Sequence, residues 1–268
     1  MESRIEMIGP EEAKVYLETA NGENPRPLRA NHVKWFADLM IKGDFRLTHQ
    51  GLAFDVNGKM KDGQHRLHAI IAAGVTVPML VSYKVPEASF EVVDSGMTRS
   101  IYDRFNTTAD IAAIINVHHF FMGGRGKTLP SYFAKTLEWV GPLYTRLINE
   151  TTKTKRNKVT VAATRYGALL NMLVSETRAQ YAIEQYKALA SGDQSMAPVV
   201  YAFRAYAESK KSEWNTTRNI EDQGQLRSPI AYHAFQISNS HHTRIMMKQV
   251  KEAVSAEMKS ILRANGIT

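Results

Sequence analysis

Residues 61–67 read Lys-Asp-Gly-Gln-His-Arg-Leu, and they concentrate the chemistry of this chain. A glycine, a histidine and an arginine fall within four positions, after a strand pattern and before a helix pattern. Gly63 lets the backbone approach a ligand closely. The amides of Gln64, His65 and Arg66 then open a helix, where N–H groups and the dipole favour an anion. Arg66 carries the forked guanidinium that grips phosphate with two bonds. Two readings stand side by side. In one, these residues form a phosphate or nucleotide pocket, with Arg66 stabilising charge and His65 as proton donor or second clamp. In the other, Asp62 caps the helix and pairs with Arg66 at i+4, and the segment is a structural turn.

Further residues could join that pocket. Arg26 sits between Pro25 and Pro27 on a stiff segment. It is either a second phosphate contact or a surface arginine. Asp94 and Arg99, in the loop Asp94-Ser95-Gly96-Met97-Thr98-Arg99, either line the pocket from its other side or pin the loop by pairing with each other. Lys153, Lys155, Arg156 and Lys158 run into a helix capped by Thr160, with Arg165 a turn further on. Basic residues ahead of a helix suit a DNA backbone, although a solvated linker has the same composition. Trp214, within the basic stretch from Lys210 to Arg227, is a base-stacking surface or a local anchor.

Other chemistries are disfavoured. Gly123-Gly124-Arg125-Gly126-Lys127-Thr128 is not a P-loop, because Phe121 stands where the first glycine is required. His118-His119 and His241-His242 are adjacent pairs, which point apart on a helix, so no metal site is expected. The chain has no cysteine, which removes disulfides, thiolate ligands and thiol catalysis. No Ser-His-Asp or Gly-x-Ser-x-Gly signature is present.

The elements that must position these residues divide into two kinds. Residues 4–8 predict a strand, Pro10 to about Asn21 a helix, and 30–42 a second helix with Val33, Phe36, Ala37, Met40 and Ile41 on one face. Residues 51–61 predict a hairpin around Asn57-Gly58. A helix over 64–73 stops at Gly74, and Val75–Tyr83 predicts a strand that Pro78 marks as an edge or a bulge. Beyond residue 100 the pattern is helical: 108–122, 131–149, 159–175, 177–190, 196–211 and 228–264, the last broken near Ser238–Ser240. The expected class is α+β: a small mixed domain over 1–104 followed by an all-α domain over 105–268.

Net charge over the 268 residues is +8, unevenly spread. Residues 1–100 hold 12 Lys/Arg against 13 Asp/Glu, a net of −1, and residues 101–268 hold 22 against 13, a net of +9. That asymmetry points the C-terminal part toward a polyanion, most simply nucleic acid. The first ten residues have no apolar core, so no secretory signal is expected, and no stretch is apolar for long enough to span a bilayer.

The order of motifs resembles the ParB/sulfiredoxin superfamily. Within it, the chain is most similar to a group of phage and bacterial proteins with an Asp-Gly-Gln-His-Arg string. The elements that carry the likeness are Pro25-Arg26-Pro27-Leu28, the helix 30–42, Gly51-Leu52-Ala53-Phe54, Asp62 to Leu67, and Asp94 to Arg99. They cover about residues 24–104; residues 105–268 resemble no family. The resemblance implies a ParB/sulfiredoxin-like fold that binds a nucleoside triphosphate, CTP or ATP, with Mg²⁺. Gly63-Gln64-His65-Arg66 matches the phosphate-binding strings of that superfamily, with His65 and Arg66 in place of the two arginines of ParB proteins. Gln64 replaces the reactive cysteine of sulfiredoxin, so sulfinic-acid reduction is excluded. The helix that presents hydroxyls and a lysine to the phosphates there has His32, Trp35 and Leu39 at the nearest positions here.

The expectation is a DNA-associated protein of phage or mobile-element type, in the bacterial cytoplasm, with a nucleotide pocket and a homodimer as its implied assembly. If it turns its ligand over, phosphate-ester hydrolysis is the expected class. The alternatives are a non-catalytic module for nucleic acid or a host protein, including an anti-defence role, and a nuclease or DNA-modification factor.

Overall fold

The computed structural model describes residues 1–21, 27–91, 100–150, 159–209, 223–244 and 247–267. It is α+β, and it divides into two compact units, Met1–Arg99 and Ser100–Thr268. The division falls before the short helix Ile101–Arg104, because Ile101 and Phe105 pack onto the helical core that follows them.

Unit 1 holds four strands: β1 (Glu2–Ile8), β2 (Leu52–Asp55), β3 (Met60–Asp62) and β4 (Val77–Val85). Their order is β1-β4-β2-β3; β4 runs antiparallel to β1 and parallel to β2, and β2 and β3 form an antiparallel hairpin. The hairpin follows from local chemistry. Asp55 is buried, and its Oδ1 accepts from the amides of Asn57 (2.8 Å) and Lys59 (2.9 Å), which ties the turn that Gly58 completes. Burial alone would raise the Asp55 carboxyl, but those amides and the Lys61 ammonium 3.4 Å away outweigh it and hold the group below its usual range.

Pro78 does not put its strand at an edge. β4 is central, paired on both sides, yet β2 meets it only from Val81 onward, so the proline lies where β2 makes no demand for an N–H. Along β4, Val77, Met79 and Val81 are buried, while Pro78, Leu80 and Ser82 are half-exposed on the other face. Three helices supply the partners of the buried face: α1 (Pro10–Ala20), α2 (Ala30–Ile41) and α3 (Gln64–Ala73). Ala13, Ala37, Met40, Leu67 and Ile70 meet Ile8, Leu52, Phe54, Met60, Met79 and Val81 in one core. Each large aliphatic residue closed there contributes roughly 1.5–3 kcal/mol.

Unit 2 is helical among its described residues: α4 (Ile101–Arg104), α5 (Ala109–Phe121), α6 (Pro130–Asn149), α7 (Ala162–Met172), α8 (Glu176–Ser191), α9 (Pro198–Ser209), α10 (Ser228–Ala234) and α11 (Met247–Ala264). The stretch expected as one broken helix from 228 is two, separated by a 3-10 turn at Ile237–Asn239 and by residues up to 246. α7 is the central rod: every residue from Ala163 to Met172 is buried. Its polar residues are therefore paired. The Tyr166 hydroxyl lies 2.8 Å from Nδ1 of His118, and Asn171 Nδ2 donates to the carbonyls of Gly167 and Tyr232, both at 3.0 Å. Asn171 Oδ1 accepts from Arg178 Nη2 at 2.8 Å, which extends the network to α8, α10 and α11: Arg178 Nη2 also donates to the Tyr232 hydroxyl at 2.9 Å, which donates to Glu257 at 2.7 Å.

No described helix is long and apolar enough to cross a membrane.

Candidate functional site

The motif sits where β3 turns into α3. Gly63 is the N-cap of α3, with φ 115° and ψ −6°, a backbone conformation that side chains rarely adopt. A Cβ there would lie 2.4 Å from Leu52 Cδ2 and 3.2 Å from Leu52 Cα. Gly63, and not Asp62, is the N-cap residue of α3. Asp62 does pair with Arg66 one turn on, at 3.8 Å.

Arg66 points into its own domain. Its Nη1 donates to the Gly51 carbonyl at 3.0 Å, and its guanidinium carbon lies 5.5 Å from the centre of the Phe36 ring. Only 12% of the side chain is exposed. The guanidinium thus locks the start of β2 to the start of α3 and stacks on α2. Gln64 beside it is buried.

His65 faces α2 instead. Its Nε2 accepts the backbone N–H of Arg29 at 3.1 Å, so a neutral ring carries its proton on Nδ1. Arg29 is the N-cap of α2, and His65 is the second residue of α3. One hydrogen bond thus joins the beginnings of two helices, and both positive dipole ends converge on it. The His32 ring lies 5.1 Å from that of His65 and stacks on Phe36, with centroids 4.9 Å apart and 10° between planes. Trp35 closes the aromatic group, 5.1 Å from Phe36. Leu39 is buried, so at that position α2 offers a core residue and no hydroxyl.

The structure thus brings Asp62, Gly63, Gln64, His65 and Arg66 together with Arg29, His32 and Phe36. Arg26, Asp94 and Arg99 lie outside the described residues, as do Lys153, Lys155, Arg156, Lys158 and Trp214. Sequence reasoning missed Arg29 and the role of Phe36. The i,i+4 spacing of His32 and Phe36 was the available signal, since it puts both on one face of α2.

Arg165 corrects an expectation. It is 7% exposed, with Nη1 3.0 Å from Asp110 Oδ1, Nε donating to the Tyr186 hydroxyl at 3.2 Å, and its guanidinium over the Tyr144 ring. Burial would lower its pKa, but those tyrosines and Asp110 outweigh it and raise it. Its charge is spent inside unit 2, so it is not a phosphate contact.

A basic surface that the sequence reading passed over lies on α11. Lys259 and Arg263, one turn apart, line a groove of about 530 Å³ with Phe121, Gln225 and Glu252. Lys259 Nζ stands 5.9 Å from the centre of the Phe121 ring. Among the described residues, no group of three or more His, Asp or Glu is placed to hold a metal ion.

No family model, no curated protein and no solved structure matches this chain.

Proposed function

We propose that unit 1 is a phosphate-recognising module of the ParB/sulfiredoxin-like kind, in a nucleic-acid-associated protein that binds its ligand without turning it over. The observation that carries this reading is the 3.1 Å bond between Arg29 N–H and His65 Nε2. It sets two helix N-termini side by side, with Gly63 allowing the chain to enter α3 without a side chain in the way. A nucleoside triphosphate, CTP or ATP with Mg²⁺, is the ligand that the motif resemblance favours. Binding is preferred to hydrolysis because Arg66 already serves the Gly51 carbonyl and the Phe36 face. The motif itself contains no Ser, Thr or Cys as nucleophile.

The polyanion partner is assigned to unit 2. Residues 101–268 carry the net +9, and Lys259 and Arg263 offer a described basic groove. A phage or mobile-element protein working on DNA in the bacterial cytoplasm fits this pairing of a phosphate site with a basic helical unit. The test is DNA affinity measured across a salt series. Lys259→Ala with Arg263→Ala is expected to weaken binding for all sequences alike and to flatten the salt slope by about 2. A slope near zero in the unchanged protein would sink the assignment.

A second reading has its own observation. Leu39 lies in the core and Trp35 in the aromatic group, so α2 presents no hydroxyl at those positions. Unit 1 would then be a scaffold for a protein partner, and no nucleotide would bind.

A further inference from the structure

β1 is an edge strand of the sheet. It spans seven residues, Glu2–Ile8, and pairs with β4 residue for residue without a bulge or a proline of its own. Among the described residues no strand occupies its outer side. Natural sheets guard such edges with prolines, bulges or short length, because an open row of N–H and C=O groups recruits another strand. β1 has no proline, no bulge and seven paired residues; its guard is the pair of charges Arg4 and Glu6 on the covered face, which turns away a strand that cannot match them and admits one that can.

Its side chains specify which strand it recruits. Arg4 and Glu6 share the face of the sheet that the helices cover, in register with Val81 and Met79. Ser3, Ile5 and Met7 lie on the opposite face, where Ile5 is 60% and Met7 61% exposed, beside Leu80 and Pro78 of β4. We infer that β1 pairs antiparallel with β1 of a second copy of this chain, about a two-fold axis through Ile5, to make a continuous eight-stranded sheet.

The register follows from charge. A two-fold axis perpendicular to a sheet keeps each face on its own side, so only residues of the same face can oppose one another. Centred on Ile5, Arg4 opposes the partner's Glu6, and Glu6 the partner's Arg4. Ile5 opposes its own copy, and Met7 opposes Ser3. Centred on Arg4, the pairing would set Arg4 against Arg4 and Glu2 against Glu6. Centred on Glu6, it would set Glu6 against Glu6 and Arg4 against Ile8. Opposite charges directly across a pair stabilise it and like charges oppose it. Centred on Ser3, Glu2 would also meet the partner's Arg4 twice, but only Glu2–Arg4 of the strand would pair; Ile5 is the centre that matches charges twice while pairing the whole strand, Glu2 to Ile8.

The groups are ready for it. Arg4 is 71% exposed, with Nε 2.6 Å from Glu6 Oε1 of its own strand. Glu6 is held in place from below by the Tyr83 hydroxyl at 2.7 Å and the Tyr16 hydroxyl at 3.2 Å. A second arginine arriving across the seam meets a carboxylate that is already positioned.

The experiment is the mass of the full chain in solution across a concentration series, by sedimentation or light scattering. The unchanged protein is expected to dimerise. Arg4→Glu alone and Glu6→Arg alone should each weaken the dimer roughly tenfold or more, because both cross-strand pairs turn repulsive. Mixing the two variants should restore association as a heterodimer, since a strand acidic at both positions then faces one that is basic at both. A folding defect would not be rescued by mixing. Ile5→Lys is the independent variant: its side chain is exposed in the monomer, and it sets two like charges at the axis. An unchanged protein that stays monomeric, a mixture no more associated than its components, or an Ile5→Lys dimer as tight as the unchanged one overturns the inference.

Discussion

Replacing Gly63 by alanine tests the geometry on which the site depends. The substitution has two costs. The first is conformational, since φ 115° is outside the region a side chain favours, and a left-handed backbone costs an L-residue ~1–2 kcal/mol. The second is steric. The new methyl would lie 2.4 Å from Leu52 Cδ2, and Leu52 is 1% exposed, so its side chain has no free space to turn into. Forcing a methyl into a packed core costs ~1–3 kcal/mol more. The C-cap glycine of α3 supplies the control: Gly74 has φ 67° but nothing within 4 Å of its would-be Cβ, so Gly74→Ala carries only the conformational cost. Urea unfolding followed by circular dichroism should therefore place Gly63→Ala below Gly74→Ala by ~1–3 kcal/mol, with the same denaturant slope for both. Equal losses would refute the close approach of β2 to the start of α3. They would leave the positive φ as the sole reason why this position carries glycine.

Three further outcomes follow from the same structure. Burial holds the His118 imidazole at about 3, against 6.5 when solvated, so the unfolded chain takes up a proton first. Its contribution is whole above pH 6.5 and is lost as pH falls from there toward 3, at ~1.4 kcal/mol per pH unit. Urea melts at pH 7 and 5 should differ by ~2 kcal/mol more in the unchanged protein than in His118→Gln; identical slopes would contradict the burial. Arg165→Ala leaves Asp110 without its buried partner and should cost ~3–5 kcal/mol by thermal or urea melting, with DNA affinity below the melting range unchanged. A lowered affinity in that folded variant would contradict its interior role. Arg66→Lys should be destabilised by about 1–3 kcal/mol in the same urea assay, because an ammonium cannot serve the Gly51 carbonyl and stack on Phe36 together. Wild-type stability in that variant would contradict the locking role.

The parts of this chain legible in its sequence are those set by near neighbours. Asn57-Gly58 announces the hairpin because a two-residue turn needs residues that accept its backbone, and Asp55 reinforces it from two and four residues away. Gly63 and Gly74 bracket α3 for the same kind of reason. What escaped depends on distant partners. Pro78 looked like an edge marker because nothing local tells where the neighbouring strand begins. Arg165 looked like part of a basic surface because it follows a run of lysines, whereas its partner Asp110 comes from another helix. The motif residues were found from their types, but their aim was not. Arg66 turned inward to Gly51 and Phe36, and His65 reached Arg29, because the packing of α2 on α3 decides it.

The most direct measurement is a calorimetric titration of CTP and ATP, each with Mg²⁺, into the unchanged protein and into His65→Ala. A phosphate site at the joined starts of α2 and α3 predicts that one nucleotide binds and that His65→Ala abolishes or sharply weakens it while its thermal melting still shows a folded protein. Absence of heat with both nucleotides, or equal binding by the folded His65→Ala protein, would contradict the account.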